Sequence, residues 1–443
     1  MDYSRRVGKG RSLQLVASLV ATLALAAASA QAAWAFTVNT TGDSPDLADD
    51  GRCDANAAVG RQCTLRAAIG QANADPGSSK ISFNLPGHGV KTISPGSSLP
   101  DITEPVEING YTQRGASPNT KRQGDNAQLR VVLDGSSSGT GVGLRLLADD
   151  SLVRGLVVDN FFSGVVILGT AHNRIVGNFI GAGPSGKEFA GSSNAMVLTE
   201  GAVGNVIGGR KPTARNIISG NQFAVLLQDL PGDAVTERNK VMGNYIGTDR
   251  TGVGEVGNGQ WGVIVDGIDN TIGGTKAGAG NVIAFNGDFG SNDGVAVSND
   301  ASNVGNRILG NSIFANINLG IDLGLSGVTP NDPKDPDSGP NALQNFPVIA
   351  SAKTSPGGTK VKGLLNSTPG APFRLQFFAN PNASPDEGKT LIGQTHVMTD
   401  ATTGDAPFTF NPAKPVHAGH WVTATATGEG GTSEFSAAVE VER

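Results

Sequence analysis

Only two cysteines, Cys53 and Cys63, occur in 443 residues, and neither has a histidine nearby to complete a zinc site. Charged residues make up 16% of the chain, below the usual quarter, and no cluster of Lys and Arg stands out. That shortage argues against a nucleic-acid or anionic-membrane partner, both of which need concentrated positive charge. Aromatics are scarce at 5%, and on the repeated part of the chain only Trp261, Tyr245 and Phe161–Phe162 are candidates for stacking on sugar rings. Beyond residue 35 no apolar stretch is long enough to span a bilayer.

The amino terminus is different. Arg5, Arg6, Lys9 and Arg11 precede a largely apolar run from Leu13 to Ala28, and Ala33-Trp34-Ala35 fits a small-residue cleavage pattern. This predicts an export signal over residues 1–35, a mature chain beginning at Phe36, and a protein that is secreted, held at the cell surface or periplasmic. Cleavage removes four basic residues and one acidic residue, leaving 29 against 38 and a net charge of −9. In an exported chain Cys53 and Cys63 are expected to pair, with two free thiols as the alternative.

What the chain has in abundance is glycine, 63 residues, and a recurring phrase. Asn173-Arg174-Ile175-Val176-Gly177-Asn178 recurs from Asn216, Asn239 and Asn306, with a looser copy from Asn281. Shorter copies ending in Gly-Gly begin at Asn205 and Asn270. Copies 173 and 239, 205 and 270, 216 and 281, and 239 and 306 lie 65 to 67 residues apart. Such a period identifies a solenoid. Strands of three to five β-branched residues, turned by Gly and Asn, point to a right-handed parallel β-helix. A unit of about 66 residues divides into three coils of about 22. Repeated Asn at a corner can form an amide ladder from coil to coil.

A solenoid needs capped ends. Leu65, Ala68, Ile69 and Ala72 have helical spacing behind Thr64, a suitable N-cap, and Asp75-Pro76-Gly77 ends the element. The expected order is a cap over 36–78, the β-helix over 79–328, an Asp/Pro-rich linker over 329–348 and an antiparallel β-sandwich over 349–443.

Cys63-Thr64-Leu65-Arg66-Ala67-Ala68-Ile69 resembles the motif of CSLREA-domain proteins, secreted bacterial proteins with β-helix repeats. It carries Thr for the usual Ser and Ala for the usual Glu. Phe36-Thr37-Val38-Asn39-Thr40, Ile108-Asn109-Gly110-Tyr111-Thr112-Gln113, Asn244-Tyr245-Ile246-Gly247-Thr248-Asp249 and Phe377-Phe378-Ala379-Asn380 are similar to the family as well. The resemblance implies secretion or surface exposure and, by analogy of fold, roles in adhesion or carbohydrate contact.

No convergent catalytic set is visible. Glycoside hydrolysis needs paired carboxylates, and the adjacent Asp pairs fall in loops, at Asp49-Asp50 and Asp149-Asp150. Asp159, Asp266 and Asp322 follow or sit within short strands. They are expected to cap turns, the alternative being that Asp159 and Asp266 face a groove beside Arg154 or Arg174. His172 is expected at a corner, and His417 and His420 on a surface loop. Asp332, Asp335 and Asp337, in a loop rich in Asn and Pro, are the candidate ligands for calcium. The leading expectation is a non-catalytic protein that binds an extracellular polysaccharide or a surface protein. The alternatives are a lyase, hydrolase or epimerase acting on acidic polysaccharide, and a structural surface spacer.

Overall fold

Each apolar triplet of the repeat becomes a strand, and equivalent strands stack in parallel from one coil to the next. The computed structural model describes residues 34–443 except 58–59, 61, 230–231, 289, 291 and 383–385. Sheet A has nine strands, from Trp34–Val38 to Arg307–Leu309. Sheet B has eight, from Lys91–Ile93 to Ser312–Phe314, and sheet C has seven, from Val142–Leu146 to Ile321–Leu323. The chain visits A, B and C in turn, which makes the fold a parallel β-helix.

Inward residues stack on near copies of themselves. On sheet A the column runs Phe36, Ile81, Ile108, Val153, Ile175, Ile207, Val241, Ile272 and Ile308, all buried in one core. Burying one such side chain is worth about 1.5–3 kcal/mol, so the column alone contributes strongly.

The expected coil of about 22 residues holds once, from Leu152 to Arg174. From Arg174 the equivalent positions Val206, Lys240, Thr271 and Arg307 follow at intervals of 32, 34, 31 and 36 residues. The 66-residue unit therefore spans two coils, not three. Three strands and three tight corners need little more than 22 residues, and later coils add loops, such as the one between Ile180 and Asn194. The long and short copies of the phrase on sheet A are alternate coils.

At the Gly-Asn corners of the repeated phrase the two residue types share the work. The glycine takes the left-handed backbone, with φ of 68° at Gly177, 77° at Gly220, 69° at Gly243 and 63° at Gly310. The asparagine side chains turn inward and form ladders. Asn205 Oδ1 accepts from the Asn173 amide, and Asn239, Asn270, Asn306 and Asn341 continue the series. A second ladder runs Asn178, Asn216, Asn244, Asn281 and Asn311. A third joins Asn221, Asn258, Asn286 and Asn316. Each amide thus satisfies backbone groups that a buried corner would otherwise strand without water.

The amino-terminal plug is helix Leu65–Ala74, whose first turn is capped by Thr64 Oγ1 accepting from the Ala67 amide at 3.0 Å. Leu65, Ala68, Ile69 and Ala72 enter the same core as the coils. Cys53 and Cys63 form a disulfide, with Cα atoms 5.0 Å apart, at the base of this helix. The expected export signal lies outside the described residues apart from Trp34 and Ala35. The buried Phe36 and Val38 of the first strand fall on the mature side of the predicted cleavage point. Among the described residues no helix is long and apolar enough to cross a membrane.

At the other end a seven-stranded sheet folds its two halves over one core, where Phe377 stacks on Phe410 at 4.3 Å and meets Phe408 edge-on. The expected sandwich is antiparallel except at Val439–Glu442, which pairs in parallel with Val348–Ser355. After Thr427 the chain turns tightly, with Gly428 donating to the Gly431 carbonyl and Thr427 bridging Thr432 in antiparallel sense, and the returning segment touches the last coil. There Thr432 Oγ1 accepts from the Ile308 amide, Gly388 exchanges two hydrogen bonds with Ile313, and Glu434 accepts from Leu323. This module thus meets the free edge of every one of the three sheets. Phe378 and Phe435, edge-to-face at 5.3 Å, complete the apolar core of the β-helix.

Candidate functional site

A concavity lies on the outer face of sheet A. It begins with an excursion: after Val106–Asn109 the chain leaves the coil and returns only at Val131–Asp134. This excursion runs alongside several coils and is fixed to them. Gly124 donates to Tyr245 Oη, Arg215 donates to the carbonyls of Lys121, Arg122 and Gly124, and Arg250 donates to those of Asp125 and Ala127. Beneath it, Ala127, Leu129, Val132, Val157, Phe179, Ile217 and Tyr245 form a small second core on sheet B.

The excursion supplies one wall of the cleft through Tyr111, Thr112 and Pro118, and the loop at Gly209–Ala214 supplies the other. Leu152, Arg154, Arg174, Val176 and Met242 of sheet A form the floor, and the cleft holds about 880 Å³. Four cationic side chains line it, Arg154, Arg174, Arg210 and Lys211, and none of its lining residues is Asp, Glu or His. Arg154 is partly neutralised from outside the cleft by Glu107. Tyr111 is a fixed wall: its hydroxyl donates to the Gly177 carbonyl at 2.7 Å, and burial holds its phenol well above the ordinary value. The arrangement suits an anionic ligand and brings no paired carboxylates together.

The carboxylates singled out from sequence lie elsewhere. Asp159 is buried and accepts from the Gly181 amide, and burial pushes it up to about 7. Asp266 sits on sheet C and accepts from Asn303, so neither faces a groove beside Arg154 or Arg174. Asp322 is buried and takes the Gly327 amide. Asp149 accepts from the Ala171 amide, and His172, exposed at a corner with φ of 60°, has Asp150 3.9 Å away. These are turn-forming roles. His417 and His420 lie near each other just before strand Trp421–Thr427.

Among the aromatics, Phe161 and Tyr245 are buried, whereas Phe162 is half exposed. Trp261 stacks with Phe223 at 6.0 Å on the outer face of sheet C, beside Leu226, Ile264 and Asp266. That hollow holds about 290 Å³.

Asp332, Asp335 and Asp337 do converge. Each offers an oxygen, and the three lie within 4.8 Å of one another. Asp335 is held by Ser367, Gln344 and the Asn345 amide. Asp332 Oδ1 and Asp337 Oδ1 are buried without a hydrogen-bond partner. Burial, reinforced by mutual repulsion, pushes Asp335 up to about 6 and raises Asp337 as well. A donor set of close carboxylate oxygens with free lone pairs fits a hard cation such as calcium.

The residues of the CSLREA-like motif are structural. Thr64 caps the helix, Cys63 is bonded, and Arg66 ties the plug to Asp43 and to the Ser98 carbonyl. Gln113 exchanges two hydrogen bonds with Leu85.

No protein-family model matches the chain, and no curated protein matches it. Among solved structures, the enzymatically active domain of bacteriophage CBA120 tailspike protein 4 aligns at 8% identity and a TM-score of 0.17. The alignment covers 85% of this chain and 65% of that one, so the chain spans just under two thirds of that domain's length. The functional reading below therefore rests on the residues of this chain alone.

Proposed function

We propose that this is an exported protein, of the CSLREA-domain type, that binds an anionic extracellular polysaccharide on the outer face of sheet A without cleaving it. The observation that carries the reading is the cleft with four cations and no acidic or imidazole side chain in its lining. A hydrolase would need a proton donor and a second carboxylate at that spot, and a binding site needs neither. In a chain of low overall charge and net negative balance, four cations lining one cleft stand out. A calcium ion held by Asp332, Asp335 and Asp337 would fasten the linker between the last coil and the C-terminal sheet.

The test is retention of the mature chain on immobilised polyuronates and on neutral glycans, with products assayed in solution. Retention on anionic polymers alone, with no new reducing ends or unsaturated products, is the expected result. Product formation would convert the reading to a lyase, hydrolase or epimerase, and failure to retain any polymer would favour a structural spacer. Calcium should raise the melting temperature of the mature chain at pH 7.5 and lose that effect near pH 5, where Asp335 is protonated. An unchanged melting temperature with calcium or chelator would dispose of the metal.

A further inference from the structure

The two-coil period gives the outer face of sheet A a rhythm of its own. In register along the sheet, the first outward position reads Arg174, Val206, Lys240, Thr271, Arg307. Arg174, Lys240 and Arg307 are exposed, and Val206 and Thr271 between them are half-buried. Among the described residues, none of the three cations has a carboxylate partner. The last residues of the same five strands alternate as well: Val176, Gly208, Met242, Gly273, Leu309. At these two strand positions every second coil thus places one cation and one side chain larger than glycine, where the coils between place Val206 or Thr271 and a glycine; Arg210 and Lys211, on the loop after Val206–Gly208, add charge within the first cleft.

Stacked strands are ~4.8 Å apart, so these cations recur every ~10 Å along the axis. The track has a cleft at each end. Arg174 lies in the cleft of 880 Å³ described above. Arg307 and Leu309 line a second cleft of about 510 Å³ with Arg374 and His396 of the C-terminal sheet, where Glu429 is the one carboxylate.

Resting on the polysaccharide reading, we infer that the ligand is a linear chain with one anionic group per disaccharide, laid along sheet A from Arg174 to Arg307. One sugar of an extended chain spans close to one strand spacing, so a disaccharide repeat matches two coils. A polymer charged on every sugar would set alternate carboxylates against Val206 and Thr271, which offer no counter-charge. Duplex DNA, with a charge every ~1.7 Å, is far denser than the track. Met242, half-buried beside Lys240, provides a surface for the face of a sugar ring at the centre of the track.

The experiment is calorimetric titration of the mature chain with size-defined fragments of three polymers. One alternates glucuronate with N-acetylglucosamine, one is polygalacturonate, and one is poly-dT. The alternating polymer is expected to bind about tenfold more tightly than polygalacturonate of equal length, with a sharp gain once a fragment carries three carboxylates. Lys240→Ala, exposed in the middle of the track, should cost the long fragments about fivefold and leave short ones unaffected. The double variant Val206→Lys with Thr271→Lys fills the empty coils and should shift preference to polygalacturonate. Equal or tighter binding of polygalacturonate by the unaltered chain, with Lys240→Ala silent, overturns the spacing argument and leaves the polysaccharide reading standing. No binding of either glycan removes both, and a preference for poly-dT replaces them with a nucleic-acid surface.

Discussion

In the coils, Ile175 packs on Ile207, Ile207 on Val241 and Val241 on Ile272, each inward residue lying on a near copy of itself. In the C-terminal sheet, Phe377 packs on Phe408 and Phe410, from a strand unlike its own. The coils are a template that continues for as long as the phrase repeats. The C-terminal sheet is a solution made once, and it serves two cores together. On strand Pro372–Asn380, Phe377 faces the sheet's own interior, and the next residue, Phe378, faces the end of the β-helix. A strand's alternation of sides makes that division available without further residues. A repetitive region therefore tolerates local loss, whereas the cap concentrates its role in a few side chains.

The largest expected effect lies at the cap. Phe435→Ala removes the ring that packs against Phe378, Gly320 and Gly388 and should cost about 3–5 kcal/mol. Hydrogen exchange should rise in strands 307–323 and leave strands 206–273 protected. If protection falls evenly through all coils, cap and template are one cooperative unit and the contrast fails.

A smaller effect is expected within the template. Asn239→Ala deprives the Asn205 amide of its acceptor and the Ala202 carbonyl of one of its two donors, for a cost of about 2–3 kcal/mol. Faster exchange should centre on Asn205 and spread to neighbouring coils on both sides. Exchange confined to residue 205 would mean that the ladder does not act as a ladder.

The smallest effect is a pH dependence at the junction. Burial, with the charge of Asp322 adding to it, pushes Glu434 up to about 7 and Asp293 up to about 6. The folded chain therefore holds protons that the unfolded chain releases. The associated stability is full below the ordinary carboxylate range and falls as pH rises through about 6 and 7. Exchange at Leu323 and Thr329, whose amides donate to Glu434, should be slower at pH 5.5 than at pH 8 once corrected for intrinsic rates. Glu434→Gln should flatten this dependence, and a profile unchanged by the substitution would assign it to other groups.

Much of the fold was legible in the sequence because its forces are local and repeated. Asn followed by an inward Ile or Val announces a strand beside a corner, and Gly177 and its equivalents announce the left-handed turn. The length of a coil was not legible. The phrase identifies equivalent corners and says nothing about how far the intervening loop strays, so two long coils and three short ones leave the same 66-residue period. The closing of the β-helix was hidden for a related reason. Phe378 and Phe435 act at the end of a solenoid whose last strand lies more than fifty residues earlier.

The site was less legible still. Arg174, Lys240 and Arg307 each follow a ladder asparagine, and that regularity was there to be read. Arg210 and Lys211 had no such mark, because they reach the cleft on a loop. By contrast, the three aspartates of the linker were found from composition, since a short loop dense in Asp brings its carboxylates together whatever the rest of the chain does.

The sequence by itself determined that this chain winds into a β-helix, with asparagine and glycine at its corners and a capped helix at its start. Those features follow from side-chain periodicity and backbone preference, which act over a few residues. Only the tertiary structure decided that sheet A carries an open, cationic face. The excursion from Gly110 to Arg130 covers sheet B and stops beside sheet A, and that placement depends on Arg215 and Arg250 meeting carbonyls some ninety or more residues away. Contacts at that range have no signature in local sequence, and the cleft exists because of them.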